Sequence, residues 1–183
     1  MQDFISEQVL AGCLLILSSS IFVIAGMLFT GRVIWKWQIG ETRAYLLWER
    51  SLVITAVLVV TLGLVLLNRL LMAAGDTIFS TLGMTLFFIG TVIIIAAETF
   101  ALSQKEWAYA PVIVFVVLAF IGQAAFGASI LRTGFLPDWT GWATILWNLI
   151  WLIILPIARL KDMYYPWLHY AAPLLIGIAL LVR

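Results

Sequence analysis

Glu49, Arg50, Glu98 and His169 stand inside long apolar stretches of this 183-residue chain, and Arg159 closes another. A charge in hydrocarbon costs on the order of 3 kcal/mol by insertion scales, so each such group needs a partner or a purpose. By helical rise Glu98 lies about 7 Å inside its stretch, with Glu49, Arg50 and His169 at comparable depths in theirs. Glu49, Arg50, Glu98, Arg159 and His169 therefore make a candidate polar layer near one end of the stretches. One chemistry open to it is an interhelical ion-pair cluster, such as Glu98 with Arg50 or with His169, that neutralises buried charge. The other is proton handling by Glu98 and His169, because a desolvated carboxylate and an imidazole both titrate near neutral pH. Deeper in the stretches stand Gln123 and Asn148, each able to hydrogen-bond a neighbouring helix for roughly 0.6 to 2 kcal/mol.

What is missing narrows the chemistry further. A single His and a single Cys cannot supply the three or four protein ligands that zinc takes, and they rule out bis-histidine haem within one chain. No HExxH, GxSxG or paired-aspartate signature is present, so no catalytic or metal-binding residue is expected. No cofactor is required by the sequence; a single-histidine haem or pigment site through His169 stays open.

The elements that must position these residues follow from composition. The chain is 64% hydrophobic and only 10% charged, against roughly half and a quarter in an ordinary soluble domain. A soluble fold of this size has no interior large enough for that apolar surface. Crossing a hydrocarbon core takes about 20 mainly apolar residues in a helix, and six stretches meet or approach that length: 9–30, 46–71, 78–102, 108–131, 142–158 and 167–182. They are continuously apolar, without the alternation of a membrane β-barrel. The expected fold is therefore all-α, a polytopic transmembrane bundle of about six spans forming a single transmembrane domain over 1–183. The bilayer is its first partner, with a homo-oligomer or another membrane protein as further candidates and no nucleic acid. The first stretch, preceded by Asp3 and Glu7 and lacking a basic leader, reads as a retained helix. Cys13 within it reads as a small packed side chain.

Orientation follows Lys and Arg rather than net charge. Arg32, Lys36, Arg43, Arg50, Lys105, Arg159 and Lys161 gather at one end of the spans, against Arg69, Arg132 and Arg183 at the other. The odd-numbered connections are accordingly expected in the cytoplasm of a bacterial-type inner membrane, with both termini outside. Trp35, Trp37, Trp48, Trp107, Trp139, Trp142, Tyr164, Tyr165 and Trp167 fall near span ends as interfacial anchors. The first connection, 31–43, is amphipathic and suits the membrane surface. Gly12, Gly26, Gly83, Gly90, Gly122 and Gly127 permit close helix approach. Pro156 and Pro173 inside the fifth and sixth spans favour kinks.

The stretch Leu136-Pro137-Asp138-Trp139-Thr140-Gly141-Trp142, with Tyr165-Pro166-Trp167-Leu168-His169-Tyr170 and Pro173-Leu174-Leu175-Ile176-Gly177 after it, resembles a pattern of uncharacterised bacterial multi-span families. In those, a Leu-Pro-x-Trp-x-Gly-Trp turn opens a late helix. The resemblance covers the last quarter of the chain and implies the multi-span fold, with no activity or site attached. Separately, Thr30-Gly31 and Thr133-Gly134 are expected to end the first and fourth spans. The residues favour a non-enzymatic bundle that binds a ligand or lipid, or a subunit of a membrane assembly. The alternatives are a small secondary transporter or channel, proton-coupled through Glu98 and His169, and a membrane enzyme acting on a lipid or quinone.

Overall fold

The computed structural model describes residues 2–104, 109–158 and 166–183. All of its regular structure among these residues is helical. Helix α1 runs Gln2–Val33, α2 Arg43–Ala73, α3 Ile78–Gln104, α4 Tyr109–Thr133 and α5 Asp138–Ala158; the short α6, Pro166–His169, and α7, Ala171–Val182, follow. Five helices are long and apolar enough to cross a membrane, and α6 with α7 occupies the place of the expected sixth span. The chain is a multi-span helical membrane protein.

Local chemistry explains where the helices stop. The Thr42 hydroxyl accepts from the Tyr45 N–H at 3.3 Å and so caps α2, satisfying one of the amides that a first turn leaves over. Gly75 after α2 and Gly134 after α4 take φ of 104° and 60°, the left-handed conformation that ends a helix and that glycine enters without strain. Gly31, expected to end α1 in the same way, stays helical, and α1 continues to Val33. The first connection holds a four-residue 3-10 turn, Gln38–Glu41.

The sixth span differs most from expectation. Proline lacks the N–H that would bond to the carbonyl four residues earlier, and its ring clashes with that carbonyl. For Pro173 that residue is His169, where α6 ends. Pro173 thus sits in the first turn of α7, and the span is broken at Tyr170 rather than kinked. Neighbouring helices satisfy the backbone around the break: Trp147 Nε1 donates to the Leu168 carbonyl at 2.7 Å and Ser19 Oγ to the Tyr170 carbonyl at 3.1 Å.

Contacts close the helices into a ring in the order α1, α2, α3, α4, α5, α7 and back to α1, while α6 touches α1 and α4 as well as α7. Leu15, Phe22, Val57, Leu64, Leu67, Phe87, Phe115, Phe120 and Phe126 fill the interior at 1% exposure or less. Leu62, Phe88, Ile153 and Ile157 face outward, as lipid contact requires. Cys13 also faces outward, because it lies off the α1 stripe of Ala11, Leu15, Phe22 and Ala25 that packs inward; it is not the packed side chain expected. The connection at 34–42, the end of α3 and the start of α4 share one end of the ring, here termed the basic end.

Glycine sets the closest approaches. A Cβ at Gly83 would lie 2.7 Å from the Gly122 carbonyl oxygen, and one at Gly122 would lie 2.8 Å from that of Gly83. Gly127 and Gly141 make the same reciprocal contact between α4 and α5, at 2.8 and 2.9 Å. Gly122→Val is expected to force α3 and α4 apart, at about 1–3 kcal/mol by the usual cost of overpacking. The thermal midpoint in detergent should drop while Ile121→Val, next to it, stays near wild type; an unshifted Gly122→Val would contradict this packing.

Candidate functional site

The expected polar residues fall in three places. At the basic end, Arg32 makes a two-point contact with Glu49, Nε to Oε2 at 2.7 Å and Nη2 to Oε1 at 2.8 Å. Glu49 Oε1 also lies 2.7 Å from Arg50 Nη2. Arg50 Nη1 then donates to Glu98 Oε2 at 2.9 Å and Oε1 at 3.3 Å. The chain Arg32, Glu49, Arg50, Glu98 ties α1, α2 and α3 together within about two turns of their ends. Glu49, Arg50 and Glu98 are at most 1% exposed, and burial is sustainable because two positive and two negative charges cancel in close contact. With their oxygens engaged by guanidinium groups, both carboxylates act as parts of a clamp. Arg159, expected in this layer, lies outside the described residues, as do Lys105, Trp107, Lys161, Tyr164 and Tyr165.

His169 sits elsewhere. Its ring packs edge-on to Phe115 with centroids 5.0 Å apart, lies 6.0 Å from Phe87 and 6.1 Å from Phe22, and rests 4.2 Å from Tyr170. Phe87 precedes Glu98 by about three turns of α3, so His169 packs deeper than the basic-end clamp, inside the ring. The break before Pro173 puts it there: α6 tucks against α1 and α4 instead of continuing α7 outward.

Gln123 and Asn148 face the interior, both at 0% exposure. Asn148 completes a stripe with Thr140 and Thr144, successive α5 turns that are all fully buried, while Leu146, Leu149, Ile150 and Ile153 cover the outer face. The antiparallel register set by Gly127 against Gly141 brings Gln123 level with Ile145, within the turn from Thr144 to Asn148. Asn148 Nδ2 donates to the Thr144 carbonyl at 2.7 Å. The Gln123 amide oxygen and nitrogen, the Thr140 and Thr144 hydroxyls and Asn148 Oδ1 have no hydrogen-bond partner among the described residues. Thr55, Thr61, Thr91, Thr99 and Thr133 instead satisfy themselves on the carbonyl four residues back in their own helices.

The end opposite the clamp is organised by Asp76, which lies outside the expected set. Its Oδ1 accepts from the Ile78 and Phe79 amides at 3.2 and 3.4 Å, and Oδ2 from the Ser80 amide at 3.1 Å. Arg132 of α4 lies 3.4 Å from Oδ1. Burial alone pushes the Asp76 carboxyl up, but the neighbouring Ser129 side chain and the bonds from the Ser80, Ile78 and Phe79 amides outweigh it and hold the pKa below its ordinary value. An Asp just ahead of the apolar run from Ile78 is a helix-start signal visible in the sequence. Arg32 carries no comparable signal, since its partner Glu49 is on the next helix. Arg69, at this same end, pairs with Glu7 at 3.0 Å and stays 62% exposed, the snorkelling geometry expected of a long cation at a span end. Trp35, Trp37, Trp48, Trp139 and Trp142 all lie exposed on the outer surface.

Among the described residues no group of three or more His, Cys, Asp or Glu is arranged to hold a metal ion. Comparison with protein-family models, with curated proteins and with solved structures gives no match.

Two outcomes follow from these geometries. Arg50→Met leaves Glu98 buried without its partner and is expected to cost about 3–5 kcal/mol, whereas Arg50→Met with Glu98→Leu recovers most of that loss; a double variant no more stable than the single would contradict a self-neutralising clamp. Because the Asp76 pKa is lowered on folding, its contribution is full above about pH 4, the unfolded carboxylate range, and fades as pH falls below it. Asp76→Ala should lower stability at neutral pH by about 1 kcal/mol, as for loss of a cap, and flatten the acid limb of the melting profile. An acid limb identical to wild type would rule Asp76 out as its source.

Proposed function

We propose that this protein is a membrane bundle that holds a small polar molecule in its interior, against Gln123 of α4 and the Thr140, Thr144 and Asn148 stripe of α5. Gln123 carries the reading: a fully buried carboxamide with neither oxygen nor nitrogen bonded to a described residue. Leaving such a group unsatisfied costs about 1–3 kcal/mol, and buried polar groups in native proteins ordinarily find a partner in protein, ordered water or ligand. Thr144 supports it, forgoing the intrahelical bond that Thr55, Thr61, Thr91, Thr99 and Thr133 make. Amide and hydroxyl groups both donate and accept, and the wall carries no charge. A small neutral solute with donors and acceptors of its own, polyol-like or urea-like, suits it.

A carrier reading gains support from the ends, where the Arg32, Glu49, Arg50 and Glu98 clamp and the Asp76 and Arg132 pair stand on opposite sides of the interior. Breaking one set while the other holds would give alternating access, and His169 lies between them for a proton-coupled version. The lipid-modifying alternative asks for Glu49, Glu98 and His169 to open onto the leaflet, and their exposures are 0%, 1% and 0%. The Lys and Arg distribution supports a cytoplasmic basic end.

Gln123→Leu separates an occupied interior from a dry one. Against a dry wall, removing an unpaired carboxamide should stabilise the protein; against water or ligand it should destabilise by about 1 kcal/mol or more. A lowered thermal midpoint is expected, and a raised one would sink the proposal. For the carrier reading, vesicles containing the protein should take up glycerol faster than empty ones by light scattering, and equal rates would remove it.

A further inference from the structure

We propose that the basic end carries a second site, separate from the interior, for the headgroup of an anionic phospholipid. A groove of about 570 Å³ opens where the starts of α2 and the end of α3 meet, lined by Arg32, Thr42, Arg43, Leu46, Leu47 and Leu102 among others. Its two sides have different chemistry. Arg32 is largely neutralised by Glu49, but Arg43 is exposed and makes no ion pair with a described residue. Arg43 also opens α2, so the amides of Arg43 and Ala44 belong to a first turn with no preceding turn to bond to. The Tyr45 and Leu46 amides are already taken by Thr42. A guanidinium beside two outward amides at the positive end of a helix is an arrangement that receives a phosphate.

The leucines decide which phosphate. Leu46, Leu47 and Leu102 offer a soluble anion nothing, but they give the first carbons of an acyl chain a wall to lie on, and Leu47 is 44% exposed toward the lipid-facing surface. Trp35, Trp37 and Trp48, exposed by 59%, 43% and 68%, ring the same end at the height where aromatic side chains meet headgroups. Basic pockets between spanning helices are recognised headgroup sites, and each basic residue near an anionic surface contributes on the order of 1 kcal/mol. A zwitterionic choline head fits less well, since its cation would need a carboxylate or an aromatic face and the described lining of the groove holds neither.

The test uses the full-length protein in neutral detergent, titrated with phosphatidylglycerol, phosphatidylcholine of the same acyl chains, or glycerol 3-phosphate, with retained lipid read by native mass spectrometry and stability by thermal midpoint. Phosphatidylglycerol is expected to be retained and to raise the midpoint, while the other two do neither. Arg43→Gln should weaken phosphatidylglycerol about fivefold to tenfold, the loss of one such charge contact, without altering the lipid-free melt. Leu47→Trp, which keeps both arginines and crowds the apolar wall, should weaken it too. Lys36→Gln removes the same charge outside the groove lining and should have little effect. Equal retention of the two lipids, equal losses in Lys36→Gln and Arg43→Gln, full retention by Leu47→Trp, or glycerol 3-phosphate binding as tightly as the lipid would each overturn the site.

Discussion

A polar group withdrawn from water inside a lipid-embedded bundle must find its partner inside the protein, because neither the apolar core nor the surrounding hydrocarbon offers one. The structure meets this constraint in two ways. The basic end meets it with charge, pairing Arg32, Glu49, Arg50 and Glu98 across α1, α2 and α3. The opposite end meets it with backbone, turning the first amides of α3 onto Asp76. On the interior wall, Gln123, Thr140, Thr144 and Asn148 Oδ1 find no such partner among the described residues, and it is there that a polar occupant is proposed.

Pro173 connects the fold to that interior. A continuous sixth helix would carry His169 up the ring wall as one more span residue; the missing amide of Pro173 ends α6 at His169, and the freed backbone recruits Trp147 and Ser19 from α5 and α1. The result is a histidine ringed by Phe22, Phe87, Phe115 and Tyr170 between the charged ends. Broken helices are tolerated at membrane depth where their backbone is buried in protein, and Leu168, His169 and Tyr170 are all buried here.

The bundle was legible in the sequence because twenty-residue apolar runs have one solution in lipid; α2 to α5 stand within four residues of their expected limits, while α1 begins at Gln2, ahead of its expected start at Val9. Glycine contacts were half legible: Gly83, Gly122 and Gly127 stood out as small residues in apolar runs, while Gly141, hidden in a turn-like motif, is the partner of Gly127. Depth was the weak point. Counting from apparent span ends put His169 level with Glu98, because a proline effect three residues downstream of a helix break is easily read as a kink. Arg32 looked like a loop charge because its partner lies across a connection whose path the sequence does not give. Asp76 alone left a local signal, the acidic residue ahead of an apolar run.

The central claim, that the wall between α4 and α5 belongs to a water- or ligand-accessible interior, is tested most directly by thiol labelling. In a Cys13→Ser background, Thr144→Cys and the outward-facing Ile153→Cys would each be treated in vesicles with a small, charged, water-soluble thiol reagent. Labelling at position 144 with little at position 153 is the expected result. Equal inertness at both positions would contradict the claim and leave the interior a dry helix interface.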